Sequence, residues 1–276
     1  MERASAAMLP DGRLHLHHGP IDIIADASGP ARDDALRCAA KRFDGVLEDL
    51  ATELPMLRTP ITEKPGIEGP IARRMLAATA PFAPLFVTPM AAVAGSVADE
   101  IVAAMAIDGV TKAHANNGGD IAFHLTEGES ASAVLAGPVP ATIDLPFEGP
   151  VRGLATSGWR GRSHSLGIAD SVTVLAASAA QADAAATLIA SAVDLPGHPG
   201  ILRTPADTLS PDSDLGPRPV TVDVLPLTDA ERAMALSRGV AVAESYRARG
   251  LIVAALLVLG GDTRATGALF PVAESR

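Results

Sequence analysis

From residue 13 to 25, apolar positions alternate with polar ones: Leu14 and Leu16 against His15 and His17, then Ile21, Ile23 and Ile24. That period predicts a strand, or a short hairpin bent at Gly19-Pro20. Residues 33–54 carry a helical pattern that Pro55 ends, and the proline- and glycine-rich residues 57–70 read as a connecting loop. The clearest helix opens at Thr88-Pro89, with Thr88 placed to cap and Pro89 at the first helical position. Val93, Val97, Ile101 and Met105 follow at helical spacing, and Gly109 is placed to end the helix.

Strands are predicted over residues 121–125, 134–137, 140–145, 171–176, 220–225 and 251–259. Ser178 with Gln181 and Thr228 with Glu231 have the spacing of capping boxes, so helices should start at each. Residues 196–219 are proline-rich and read as a long loop. Strands and helices do not alternate strictly, which favours an α+β fold over a doubly wound sheet. The length of 276 residues fits a single domain over residues 1–276, or two intimate lobes.

The net charge of -10 argues against nucleic acid as a partner, since phosphate binding needs a basic face. Cys38 is the only cysteine, so no internal disulfide can form, as expected in a reducing compartment. The N-terminus lacks an apolar core of signal-peptide length, and residues 251–259 are too few to span a bilayer. The expectation is a soluble, cytoplasmic protein with no membrane partner; the oligomeric state stays open, a homo-oligomer included. His15, His17 and His18 invite a metal reading, but with no third ligand evident an exposed strand face explains them better.

Three stretches carry more small polar residues than packing requires: NNGGD at residues 116–120, TSGWRGRSHS at 156–165, and QADAAATLIA at 181–190. NNGGD is a tight hairpin turn, or a turn whose backbone N–H groups face an anion. Ala91, Ala94, Gly95 and Ala98 make a small-residue surface that admits a close helix, a strand or a flat ligand. Asp183 and Thr187 lie four apart and share a helical face, where two hard oxygens would suit Mg2+. The alternative is that Thr187 bonds its own helix while Asp183 favours that helix's positive N-terminal end. A glycine turn, an oxygen pair and a Thr-Ser-Gly loop together suit a small-molecule nucleotide cofactor, although neither a Walker loop nor a dinucleotide fingerprint is present.

In order and content, VTPMAAVAGSVADEI at 87–101, NNGGDI at 116–121, ATSGWRGRSHSLGIADSVTV at 155–174 and QADAAATLIA resemble the ApbE family of FAD-dependent flavin transferases. The likeness is greatest to that family's uncharacterised cytoplasmic branch. The resemblance implies an α+β fold with duplicated T-fold-like halves, FAD and Mg2+ as cofactors, and FMN transferase-type activity. It implies cofactor contacts at Met90, Ala91, Asn117, Gly118, Gly119, Asp120, Thr156, Ser157 and Gly158, with Asp183 and Thr187 on the metal. Gly95 and Asp99 also match, but Ala94 stands where the transferases have lysine, and SLGIADSV follows His164 in place of their Asp-Pro-x-Thr-Gly segment. The residues assign no catalytic group. A non-catalytic flavin-binding protein, and an enzyme acting on another fused-ring ligand such as a pterin, remain the alternatives.

Overall fold

The structure, a computed structural model, describes residues 3–63, 66–135 and 141–268. The chain divides into two compact units. The first comprises residues 1–132, 144–155 and 176–183, and the second residues 133–143, 156–175 and 184–276.

In the first unit, strands Ser5–Met8, Leu14–His18, Ile21–Ser28, Lys112–Asn117, Asp120–Leu125 and the start of Gly153–Ser157 lie side by side in that order. Each neighbouring pair is antiparallel, with Leu14 opposite Ala25, Ala25 opposite Ala115, and Ala122 opposite both Ala115 and Gly153. The alternation from residue 13 to 25 is thus two strands, joined by a turn in which Gly19 adopts φ 56°. Its buried set, Leu14, Leu16, Ile21, Ile23, Ala25 and Ala27, forms part of the core.

Helices Arg32–Phe43, Pro70–Thr79 and Val93–Met105 bury Ala35, Leu36, Ala39, Phe43, Ile71, Met75, Val97, Ile101 and Met105. Glu100 ties the three together, accepting from Arg42 Nε and Arg74 Nη1 at 2.7 Å each. Burial pushes the Glu100 carboxyl upward, but the two guanidinium groups outweigh it and the net shift is downward.

In the second unit, the end of Gly153–Ser157, then Ser171–Ala176, Ala254–Leu259 and Asp262–Thr266, lie in that order. Ala254–Leu259 runs antiparallel to both Ser171–Ala176 and Asp262–Thr266. Helix Asp229–Ala248 packs on this sheet, and a Cβ at Gly239 would overlap Val193 and come within 2.7 Å of Leu257. Thr228 caps that helix: its Oγ1 accepts from Glu231 N at 3.3 Å, while Thr228 N donates to Glu231 Oε2 at 2.7 Å. His198 Nε2 meets the other Glu231 oxygen at 2.9 Å, and Gly200 N donates to His198 Nδ1, so the imidazole proton sits on Nε2.

Several boundaries differ from the sequence reading. Residues 33–54 break at Gly45, φ 89°, into helices Arg32–Phe43 and Val46–Thr52, and Pro55 sits in the short helix Leu54–Leu57 instead of ending one. Thr88 makes no side-chain cap; a 3-10 turn, Pro89–Ala92, precedes the helix, which starts at Val93. The loop at 196–219 contains strand Ile201–Pro205, which pairs with Pro219–Val224. Helix Pro70–Thr79 and strands Ser5–Met8 and Asp262–Thr266 were not anticipated. Strands expected at 134–137 and 140–145 are Ser130–Leu135 and Ala141–Pro146, and positions 136–140 lie outside the described residues. No helix among the described residues is long and apolar enough to cross a membrane.

Candidate functional site

NNGGD is a hairpin turn. Asn117 pairs with Asp120, and Gly118 and Gly119 between them take φ 66° and 113°, the doubly positive geometry of a two-residue loop. Gly119 N donates to Asn116 Oδ1 at 2.9 Å, so one of the amides expected to face an anion is used inside the turn. Ala113, Ala115 and Asn117 face inward on one strand, which forces the Asn117 amide to find a buried partner. Its Nδ2 donates to Ala94 O at 3.1 Å, pinning the turn to the start of the Val93–Met105 helix. Met90 and Ala91 lie half-buried in the 3-10 turn before that helix, and Asp120 is buried.

Helix Ala179–Ala192 begins against the same place. A Cβ on Gly95 would overlap the carbonyl of Ala179, and one on Gly153 would overlap Ala179 N, so two glycines admit the helix start. The small-residue surface around Gly95 therefore receives a helix. The two helices also exchange caps. Asp99 accepts from Ala179 N and Ala180 N at 3.0 Å each, and Asp183 Oδ2 accepts from Gly95 N at 3.0 Å. In each helix the acid lies four residues beyond the close contact, Gly95 to Asp99 and Ala179 to Asp183, hence on the same face. Both acids satisfy N–H groups that a helix start leaves without intrahelical partners. Asp183 is thus a helix-end partner, but of the Val93 helix and not of its own. Ser178 makes half the expected capping box, its Oγ accepting from Gln181 N at 3.2 Å.

Asp183 keeps part of its surface accessible, although protein surrounds it as densely as in the interior. Burial raises its pKa well above the ordinary 3.8, the Asp120 charge raises it further, the Gly95 and Ala94 amides lower it, and Asp99 adds a smaller upward push. Burial likewise raises Asp99, against the Ala180 and Ala179 amides and Arg74. A desolvated carboxylate facing other acids is relieved by a proton or by a cation. No group of three or more His, Cys, Asp or Glu side chains among the described residues is close enough to hold a metal. Thr187, four residues further along the helix and in the second unit, is half-buried, its carbonyl accepting from Ser191 Oγ at 2.8 Å. A carboxylate such as Asp183 suits Mg2+, which keeps several waters and takes one or two carboxylates.

Thr156, Ser157 and Gly158 belong to the second unit. Thr156 is exposed, its Oγ1 2.9 Å from Thr173 Oγ1, and Ser157 is half-buried. A Cβ on Gly158 would overlap Asp170 O and stand 2.9 Å from Ala169 O, so local backbone packing already requires that glycine. Arg160 stacks on Trp159 at 4.4 Å and donates to Asp170 Oδ1 at 2.7 Å, and Gly260 N donates to Asp170 Oδ2 at 2.6 Å. His164 is exposed, with Nε2 3.2 Å from Ser210 Oγ. A recess of about 10 Å3 lined by Asp49, Leu50, Glu53, Gly69 and Ile71 admits a water and no flavin, and shares no residue with the candidate site. The cap made by Asp99 and the bond from Gly260 N to Asp170 were missed; the repeated four-residue spacing to Asp99 and Asp183 was the available signal for the first.

These features define an α+β protein with antiparallel sheets and packed helices, in which two helix starts hold each other by carboxylate caps. The family model described as "AbpE bacteria" matches residues 6–265, and the chain belongs to that family. A UPF0280 protein of Methanocella arvoryzae is 31% identical over 200 residues, 70% of this chain and 78% of that protein. UPF0280 proteins of Methanothrix thermoacetophila and Methanosphaerula palustris are 39% and 40% identical over 45% of this chain, a match spanning 52% of each relative. The apo flavinyl transferase ApbE of Pseudomonas stutzeri aligns over 96% of this chain and 95% of its own at 14% identity, with a TM-score of 0.41. The flavin transferase ApbE of Vibrio cholerae gives 14% identity and a TM-score of 0.44 over 96% of this chain and 97% of its own.

Proposed function

We propose that this protein binds a flavin nucleotide, FAD, together with Mg2+, with Asp183 as the carboxylate that holds the metal. The observation that supports the metal is the Asp183 environment: a surrounded yet accessible carboxylate, raised by burial and by Asp120, on the first turn of a neighbouring helix, while the flavin rests on the family resemblance. When bound, the ion would neutralise a diphosphate and so favour its cleavage, the chemistry of FMN transfer with release of AMP. Asp183 and Thr187 would hold it. Asn117 and Gly118 would keep the hairpin tip against the Val93 helix, and Met90, Ala91, Gly119 and Asp120 would border the ligand. Thr156, Ser157, Gly158 and Thr187 enter this reading through the sequence pattern and the family resemblance, and the duplicated T-fold-like halves through the resemblance alone.

A binding role without transfer is the second reading. It is favoured by Ala94, which stands at the transferases' lysine position and whose carbonyl is held by Asn117. Both are tested by titrating FAD into the parent and into Asp183→Asn, with and without Mg2+, while following AMP. Mg2+-dependent binding that the variant loses supports the assignment, and AMP release with a mass gain on an acceptor peptide separates transfer from binding. A parent that binds no FAD in millimolar Mg2+ removes the flavin reading and leaves another fused-ring ligand, such as a pterin, as the class to try.

A further inference from the structure

We propose that Asp99 is a positioning residue that holds the Asp183 carboxylate on the first turn of the Val93–Met105 helix. Its consequence for metal affinity rests on the reading given above; its consequence for geometry does not.

All the groups involved, Gly95, Asp99, Ala179, Ala180 and Asp183, lie in the first unit. Asp99 takes both N–H groups of the Ala179–Ala180 start at 3.0 Å. Two bonds from one rigid carboxylate fix where the Ala179 helix begins and its rotation about its own axis. Asp183 lies one turn further along the same face, so that rotation sets where its carboxylate points. Gly95 N, 3.0 Å from Asp183 Oδ2, reads the result.

Steric contact alone does not do this. Gly95 and Gly153 let Ala179 approach closely, but neither carries a group that selects one rotation. Asp99 does so at a cost, since burial opposes its ionised form. Side chains that orient a ligating group without touching the metal typically change affinity by about 10–100-fold when removed.

The test uses the full chain and Asp99→Asn, which keeps the shape but offers one acceptor oxygen where there were two. Asp99→Ser, whose hydroxyl can accept one N–H, is measured beside it in case the amide disturbs folding. Amide exchange at Gly95 is followed by NMR, with Ala35 of helix Arg32–Phe43 as control, and MgCl2 alone is titrated calorimetrically. The expected result is Gly95 exchange faster by about ten-fold at an unchanged Ala35 rate, with Mg2+ affinity lower by about ten-fold. A parental Gly95 rate in the variants overturns the proposal, as does acceleration shared equally by Ala35, which marks general destabilisation. If the parent itself binds no Mg2+, the metal reading fails and the Gly95 rate still decides the role of Asp99.

Discussion

Two helix starts in this molecule use the same device with opposite electrostatics. At Thr228, near the surface, Glu231 accepts the backbone N–H and hydroxyl of Thr228 and faces His198, and its pKa falls to about 2. At Gly95, Asp183 also accepts a backbone N–H, yet its pKa rises well above 3.8 because burial and the Asp120 charge outweigh the amides. A hydrogen bond to an N–H favours a carboxylate in both places, so the surroundings decide the sign. The first arrangement stabilises a helix; the second holds an acid in a state that a cation would relieve.

Forcing the two helix starts apart should have the largest effect. Gly95→Ala places a methyl group on the Ala179 carbonyl, where backbone and not a flexible side chain must yield. The expected loss is about 3 kcal/mol, toward the upper end for overpacking, measured by urea unfolding. A loss below about 1 kcal/mol would mean that the contact is slack.

Asp183→Asn removes the buried charge. A raised folded pKa means that this acid disfavours the fold when ionised, so its contribution worsens as pH rises from 3.8 through the elevated folded value. Without metal, the variant should be as stable as the parent or more so at neutral pH, with a flatter pH dependence. Thermal unfolding from pH 4 to 8 checks it, and a variant less stable at every pH contradicts it.

Thr228→Ala removes the surface cap and should cost about 1 kcal/mol, read by urea unfolding, with FAD and Mg2+ binding unchanged. The smallest expected effect is the acid limb of Glu231. Its folded pKa is depressed, so its stabilisation is present above 4.5 and is lost as pH falls toward about 2. Comparing parent and Glu231→Gln over that range should show the parent alone losing this increment.

What the sequence disclosed follows the range of each interaction. The NNGGD turn and the Thr228–Glu231 box are complete within a few residues, so spacing and side-chain chemistry were enough to find them. Strand Asp262–Thr266, with the sequence DTRAT, shows no apolar alternation because it is a sheet edge, and prolines hid Ile201–Pro205 within an apparent loop. At the candidate site, spacing gave the face shared by Asp183 and Thr187 but not what Asp183 touches, because that partner is distant in sequence. Gly158 showed the limit of reading glycine as a ligand signal: its own backbone surroundings exclude a side chain.

The exchanged caps also govern when the structure can form as the chain is made. Asp183 follows Gly95 by 88 residues, and Ala179 follows Asp99 by 80. During synthesis from the N-terminus, at about 5–20 residues per second, the Val93 helix waits several seconds for the acid that caps its first turn. Through that interval Asp99 and Gly95 remain open to water or to a chaperone. A truncated chain ending before Ala179 would leave that helix start without Asp183, and it would also lack strands Ala254–Leu259 and Asp262–Thr266.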